Sequence, residues 1–435
     1  MSVYIVGGNS RIGGSIQVHG AKNSALPILA AAVICGDCVI ENCPELTDIA
    51  VALDILEHLG CEARREGHTI LTKRLEGGDH RIPDSLMSAM RSSIVFLGGI
   101  IARHGQAEVT LPGGCELGAR PIDIHLTALR RMGVEIEDRD GTLFCNVPHG
   151  LHGADLSFPF PSVGATENVI IAAVTARGAT RITGGAREPE IGDLIAFLNS
   201  CGAQITTSLD GVITIEGVEA LHGAVHRVIP DRIAAGTFLC AAAMTGGELE
   251  VRDVNPSHLL CTLAYLHNAG CQVRTRIDSV VLKGPERLGE LGIVKTMPYP
   301  GFPTDMQAVL MAAAATAEGT TVFVENIFDG RYRHVSELLK LGADIKLVER
   351  VAVVTGVPDL YGAQLRCTDL RGGAAAVLAA LSAQGQSVIR DLWHIDRGYE
   401  DFSGSLRALG ADIRREEVEW NGSISRSAVS AGARK

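Results

Sequence analysis

Leu341-Gly-Ala-Asp-Ile345 recurs letter for letter at Leu409-Gly-Ala-Asp-Ile413, and looser copies stand at Leu59 (LGCEA), Met132 (MGVEI), Cys201 (CGAQI) and Ala269 (AGCQV). Each tag closes a stretch of the same make-up: an apolar, Ala-rich helix, a Gly, a short β-branched run and a second helix. The Gly residues that punctuate the apolar helices are Gly36, Gly105, Gly178, Gly247, Gly319 and Gly385. Both series step by about 70 residues, well beyond the roughly 20–50 of solenoid repeats. One βαβ-type unit is therefore used six times, and the fold class is α/β.

The two helices of a unit differ in kind. SALPILAAAV from Ser24, NVIIAAVTA from Asn168, TFLCAAAMT from Thr237, AVLMAAAATA from Ala308 and AAAVLAALSA from Ala374 are apolar nearly all round, so they are expected inside a ring of other elements. DIAVALDILEHLG from Asp48 and DIHLTALRRMG from Asp123 carry apolar residues at three- and four-residue steps, so one side meets solvent. Runs such as TRITG, TTVFVEN and QSVIRD read as strands. Three units and three units make two similar domains, helices inside and sheets outside. The expected boundaries are 22–229 for the first domain and 1–21 with 230–420 for the second. The N-terminal region Ser2–Ile16 has no place as a seventh unit, and is expected to pair with the second domain. The polar, basic segment 421–435 is expected to be loose.

Composition narrows the function classes. The 435 residues are 46% hydrophobic, 20% charged and 4% aromatic, a soluble globular balance. No apolar run reaches the ~18 residues a bilayer span needs, and Met1–Gly8 lacks the pattern of a signal peptide. A net charge of −11 argues against a nucleic-acid groove, so an anionic ligand needs a local Arg/Lys cluster. The 11 Cys are scattered through mostly apolar settings, which fits reduced thiols and a cytoplasmic protein. Cys35-x-x-Cys38 with Cys43 has ligand-type residues, but no second Cys/His pair follows at a useful spacing, so no metal is expected.

Candidate chemistry sits in turns. Gly20-Ala-Lys22-Asn23 opens the first buried helix, where a Lys adds charge to a helix N-terminus suited to phosphate; a plain surface lysine is the alternative. Pro112-Gly-Gly-Cys115-Glu-Leu-Gly-Ala-Arg120-Pro121 places one thiol among glycines, five positions before an Arg. Such a thiol can give or take a proton near neutrality, unless its role is structural. Tyr299-Pro-Gly-Phe-Pro-Thr-Asp305 sets a carboxylate ahead of a buried helix, as a chemical group or as an N-cap. Arg91, Arg371 and Arg397 lie near apolar stretches and have local carboxylates, Asp369 and Asp396, as alternative partners. Together with Lys22 and Arg120 they could converge on one multiply charged anion.

At these residues the chain closely resembles the bacterial UDP-N-acetylglucosamine enolpyruvyl transferases. The matching segments are GAKNSALPILAA, PGGCELGARPIDIH, SVGATEN, AREPEI, PDRIAAGTF, YPGFPTDMQ, TDLRGGAA and HIDRGYED, in order from Gly20 to Asp401. The resemblance implies two inside-out α/β barrel domains with the active site in the interdomain cleft. It implies transfer of the enolpyruvyl group of phosphoenolpyruvate to the 3-hydroxyl of UDP-N-acetylglucosamine, with release of phosphate, as the committed step of peptidoglycan synthesis. By matched position, Lys22, Asn23, Arg120 and Arg397 hold phosphoenolpyruvate, and Arg91 and Arg371 complete the anion site. Cys115 is the proton donor and the residue fosfomycin alkylates; Asp305 binds the sugar hydroxyl and accepts its proton. Arg120, Pro121, Ile122, Asp123 and Ile124, with Ser162, Val163, Gly164 and Ile327, line the nucleotide pocket. No cofactor, nucleic acid or membrane partner is implied, and a monomer or weak homo-oligomer is expected. Phe160 departs from the family, which often carries a Lys there, and Gly372-Gly373 reads as an unusually flexible pair. The rivals are an enolpyruvyl transferase for a shikimate-type acceptor, and an inactive repeat-fold binding protein.

Overall fold

The structure, a computed structural model, describes residues 2–90, 92–110 and 122–418. Six helices carry the core: α1 (Lys22–Ala32), α2 (Phe96–His104), α3 (Val163–Ala173), α4 (Arg232–Met244), α5 (Thr304–Ala314) and α6 (Leu370–Ser382). Five were legible as all-round apolar runs. α2 was not, because Gly98-Gly99 break its run. Those glycines are a packing requirement: a Cβ on Gly98 would sit 2.3 Å from the Asn168 carbonyl oxygen, and one on Gly99 2.8 Å from that of Ala30. The pair lets α2 lie against α1 and α3 at backbone contact.

The chain divides into two compact units. The first is His19–Asp231 with Pro298–Pro300; the second is formed by the described residues of Met1–Val18, Arg232–Met297 and Gly301–Lys435. These crossings fall a few residues from positions 21/22 and 229/230, where the sequence places them. At the crossing the two strands of chain hold each other: Ala21 donates its N–H to Ile229 O at 2.7 Å and Asp231 to His19 O at 2.9 Å.

Within the first unit α1, α2 and α3 pack on one another, and in the second α4, α5 and α6 do so. Each trio is buried in its own apolar cluster, and three sheets flank each trio. Strands bury every second residue, as in Thr320–Val324, where Thr321 and Phe323 point inward, the period expected of a half-buried sheet. Five four-stranded sheets share one plan: an edge strand parallel to its neighbour, then two antiparallel pairs, as in Ile293–Lys295, Thr320–Val324, Val351–Thr355 and Asp344–Val348. The sixth, built from Gln106–Thr110, Thr142–Asn146 and Glu135–Arg139, has three strands. Its parallel edge is reduced to a bridge between Arg81 and Glu108.

The N-terminal strand Ser2–Gly7 pairs antiparallel with both Gln386–Arg390 and Asp412–Glu417. It completes the last repeat's sheet, and Gly14–Gln17 adds a parallel edge to Glu248–Arg252. No helix among the described residues is long and apolar enough to cross a membrane.

Candidate active site

Cys115, Arg120, Pro121 and Arg91 lie outside the described residues. Of the remaining candidates, most lie at helix starts, separately in each unit, while Ile327 follows a strand and Arg397 ends a short turn.

In the first unit Lys22 is the first residue of α1 and buried, and its Nζ meets Asp48 Oδ2 at 2.5 Å. Asp48 comes from the following helix, Thr47–His58, and is itself buried. An ammonium taken out of water needs such a partner, so Lys22 is not the plain surface lysine of the alternative reading. Asn23 beside it is exposed. In the same turn Ser24 donates to Asp193 Oδ2 at 2.5 Å, and Asp193 also receives Ile229 N–H at 3.1 Å.

Ser162, Val163 and Gly164 form the start of α3. Ser162 is its N-cap, accepting from Ala165 N–H at 3.3 Å, the satisfaction a helix end requires. Thr166 ties the turn down from both sides, donating to Ser162 O at 2.8 Å and accepting from Ala186 N–H at 2.9 Å. Ile122 and Ile124 are half-buried and Asp123 exposed at the start of Asp123–Arg131. The ring of His125 on that helix packs against Gly164. Asn168 locks the assembly: its Oδ1 accepts Gly98 N–H at 2.7 Å, while its Nδ2 donates to Ile94 O and His125 Nδ1, each at 2.9 Å. Burial pushes His125 down to about 4, so its imidazole is neutral with Nδ1 free to accept. Glu167, one position along, is held well above the usual carboxylate range by burial and then by the charges of Glu190 and Glu188. Phe160 is 42% exposed.

In the second unit Asp305 is the second residue of α5 and carries two guanidinium groups. Arg331 Nη2 donates to its Oδ1 at 2.9 Å and Arg371 Nη2 to its Oδ2 at 3.0 Å. Arg331 also donates from Nε and Nη2 to Thr304 O, at 3.0 and 2.7 Å. It is buried on the short turn Arg331–His334, and Arg371 is buried with its guanidinium 5.3 Å from the Tyr399 ring centroid. The N-cap role that Asp305 might have had falls elsewhere: Pro303 precedes α5, with no side-chain cap bond.

Asp369, by contrast, is the N-cap of α6, accepting from Arg371 and Gly372 N–H, each at 3.0 Å. Burial raises its carboxyl, but Arg331, His334 and the Gly372 N–H outweigh that and hold it low. Gly372-Gly373 is not a flexible pair. A Cβ on Gly372 would lie 2.6 Å from both Asp369 Oδ2 and Thr368 Oγ1, and one on Gly373 2.8 Å from Cys367 Sγ. Ile327 is placed by a buried Glu325, which accepts its N–H at 2.8 Å, that of Phe328 at 3.0 Å, and the Thr304 hydroxyl at 3.1 Å. Arg397 is half-buried at the end of the turn Leu392–Arg397, and its neighbour Asp396 is gripped in a fork by Arg415 at 2.9 and 2.8 Å.

Sequence reading missed Asp48, Asn168, Glu325 and Arg331. The one signal available for Arg331 and Glu325 was an acidic and a basic residue on either side of Ile327.

Residues 6–406 match the family described as EPSP synthase (3-phosphoshikimate 1-carboxyvinyltransferase). The chain is 46% identical over 416 residues to UDP-N-acetylglucosamine 1-carboxyvinyltransferase 2 of Caldanaerobacter subterraneus subsp. tengcongensis, covering 95% of this chain and 100% of that one. It is 47% identical over 418 residues to UDP-N-acetylglucosamine 1-carboxyvinyltransferase 1 of Symbiobacterium thermophilum, covering 95% of each. The solved structure of the enolpyruvyl transferase NikO from Streptomyces tendae matches with a TM-score of 0.85 at 26% identity, over 95% of this chain and 98% of that one. EPSP synthase from Acinetobacter baumannii matches at 0.72 and 20% identity, over 96% and 100%, a likeness of fold.

Proposed function

Since the chain belongs to the UDP-N-acetylglucosamine 1-carboxyvinyltransferase branch of the EPSP synthase family, we propose that it transfers the enolpyruvyl group of phosphoenolpyruvate to the 3-hydroxyl of UDP-N-acetylglucosamine. Phosphate leaves, and the product enters peptidoglycan synthesis. The observation that carries this reading is the pair of charged helix starts, Lys22 on α1 with Asp48 and Asp305 on α5 between Arg331 and Arg371.

The reaction needs an acid and a base. A proton goes to the methylene carbon of phosphoenolpyruvate while the sugar hydroxyl loses its own and attacks the adjacent carbon. Phosphate then departs as the methylene proton is lost again, which restores the double bond. In our reading Cys115 supplies the first proton and Asp305 receives the hydroxyl proton, assistance that typically contributes about 10²–10⁴ in rate. Arg331 and Arg371 aim that carboxylate. Lys22, Asn23, Arg120 and Arg397, with Arg91 and Arg371, hold the carboxylate and phosphate of the donor, charges that meet on one carbon in the intermediate. Ile122, Asp123, Ile124, Ser162, Val163, Gly164 and Ile327 take the nucleotide sugar, the first unit's residues held in place by Asn168 and Ile327 of the second unit by Glu325. We place the enzyme in the cytoplasm as a monomer or weak homo-oligomer; the free, mostly buried cysteines support a reducing compartment.

The test is incubation with both substrates and identification of the 3-O-enolpyruvyl ether by NMR. Lys22→Ala and Asp305→Ala, checked for native circular dichroism, are expected to form none. Cys115→Asp is expected to keep measurable turnover, since a carboxyl can still donate a proton, and to lose covalent labelling by fosfomycin. Labelling that survives in that variant would put the nucleophile elsewhere.

A further inference from the structure

Among the described residues, one place brings three metal-ligating side chains together: the sulfurs of Cys35, Cys38 and Cys201 all lie within 4.8 Å of one another, and all three residues are buried. Two of them come from one turn. Cys35 follows α1, Cys38 opens the strand Cys38–Glu41, and its Sγ lies 3.4 Å from Gly36 O. Cys201 arrives from far along the chain, at the end of the helix Pro189–Ser200. The spacing argument against a metal looked for a second Cys/His pair close in sequence, and could not see this third sulfur.

The turn is built to hold its shape. A Cβ on Gly36 would meet Gly223 N at 2.6 Å, and one on Gly223 would meet Asp37 O at 1.7 Å. Val39 N–H closes the join on Ala224 O at 2.9 Å. Thr72 stands opposite Cys38 across the antiparallel strand pair, 4% exposed, with its hydroxyl beside the Cys38 sulfur.

We infer that Cys35, Cys38 and Cys201 form a three-sulfur site for a soft monovalent d10 metal ion of the Cu(I) type. With a metal–sulfur bond of about 2.3 Å, the zinc–thiolate value, three sulfurs in a trigonal plane stand about 4.0 Å apart, a spacing the observed cluster accommodates. Sulfur-only donors select Cu(I) and Zn(II) over harder ions. Structural zinc takes four ligands, and no imidazole or carboxylate joins these three among the described residues, so the ion that accepts three sulfurs is favoured. Each sulfur that binds as thiolate gives its proton to solvent, and no electron moves. The site stands apart from the residues assigned above to substrate, so its failure and that of the catalytic reading are separate.

The test is anaerobic titration of the fully reduced chain with Cu(I) buffered by a chromophoric chelator, run to constancy, beside a sample refolded from denaturant with the same buffered ion. Wild type and Cys240→Ala are expected to retain one equivalent, with three sulfur neighbours by X-ray absorption. Cys201→Ser and Cys35→Ser are expected to weaken retention by roughly 100-fold or more, since even outer-shell changes reach 10–100-fold. Retention unchanged in both serine variants would overturn the site, as would a folded wild-type chain that holds no Cu(I) by either route, or four-coordinate zinc without Cu(I).

Discussion

Arg331 holds Asp305 from one side while Arg371 holds it from the other, at 2.9 and 3.0 Å, so the proposed base is fixed between two buried cations. Arg331 also spans to Thr304 O and lies 4.0 Å from Asp369. It therefore ties the start of α5 to the start of α6.

Arg331→Ala is expected to lower stability by about 3–5 kcal/mol, the usual result of removing one partner from a buried ion pair. Arg331→Lys keeps the charge but loses the fork. In the lysine variant kcat is expected to fall at least about tenfold with KM for phosphoenolpyruvate little changed. A rise in KM alone would make Arg331 a binding residue for the donor.

Asp369 separates capping from charge. Asp369→Asn keeps an N-cap acceptor, and Asn caps about as well as Asp. Asp369→Ala loses the cap and the charge together. Urea unfolding is expected to rank wild type above Asn above Ala, with the Asn-to-Ala step about 1 kcal/mol. The contribution of the charge, from a carboxyl held low, is present above about pH 4 and fades as pH falls further.

Two neutral histidines set the acid limb above that. His125 and His334 are both pushed down to about 4 by burial. An unfolded His takes its proton near 6.5, so between pH 6.5 and 4 the unfolded chain binds more protons and stability falls as pH falls, by up to about 1.4 kcal/mol per unit for each. Glu167 acts in the opposite sense: held high, it favours the folded state at low pH and loses that contribution as pH rises. Glu167→Gln is expected to steepen the stability slope between pH 5 and 6. An unchanged slope in urea titrations at those two values would remove Glu167 from the account.

Gly98→Ala tests the packing of α2. The added methyl meets the Asn168 carbonyl oxygen at 2.3 Å, and the backbone on neither side can yield as a side-chain tip would. A loss of about 1–3 kcal/mol or more is expected, read as a lower thermal midpoint. A neutral outcome would mean that α2 and α3 are free to separate.

The architecture was legible because repetition averages out local ambiguity: six copies of tag and Gly fix the phase of every unit, and Ala-rich helices declare their burial. α2 escaped because its glycines serve backbone contact, which looks like helix breaking in one dimension. The site was legible only where chemistry and a turn coincide, as at Lys22 and Asp305. Asp48, Glu325 and Arg331 carry ordinary surface-type side chains, buried only because a partner of opposite charge or a row of backbone N–H groups arrives from another element. Arg331 sits one residue before a buried Tyr332 and two before an exposed Arg333, and nothing in that order marks which arginine turns inward. The Cys35–Cys38–Cys201 cluster is the extreme case, since its third member is contributed by the third repeat.

The most direct measurement is release of phosphate from phosphoenolpyruvate with each acceptor in turn. Phosphate is predicted to appear with UDP-N-acetylglucosamine, in equal amount to the enolpyruvyl ether, and at background level with shikimate 3-phosphate. Background release with the nucleotide sugar, together with turnover of shikimate 3-phosphate, would contradict the account.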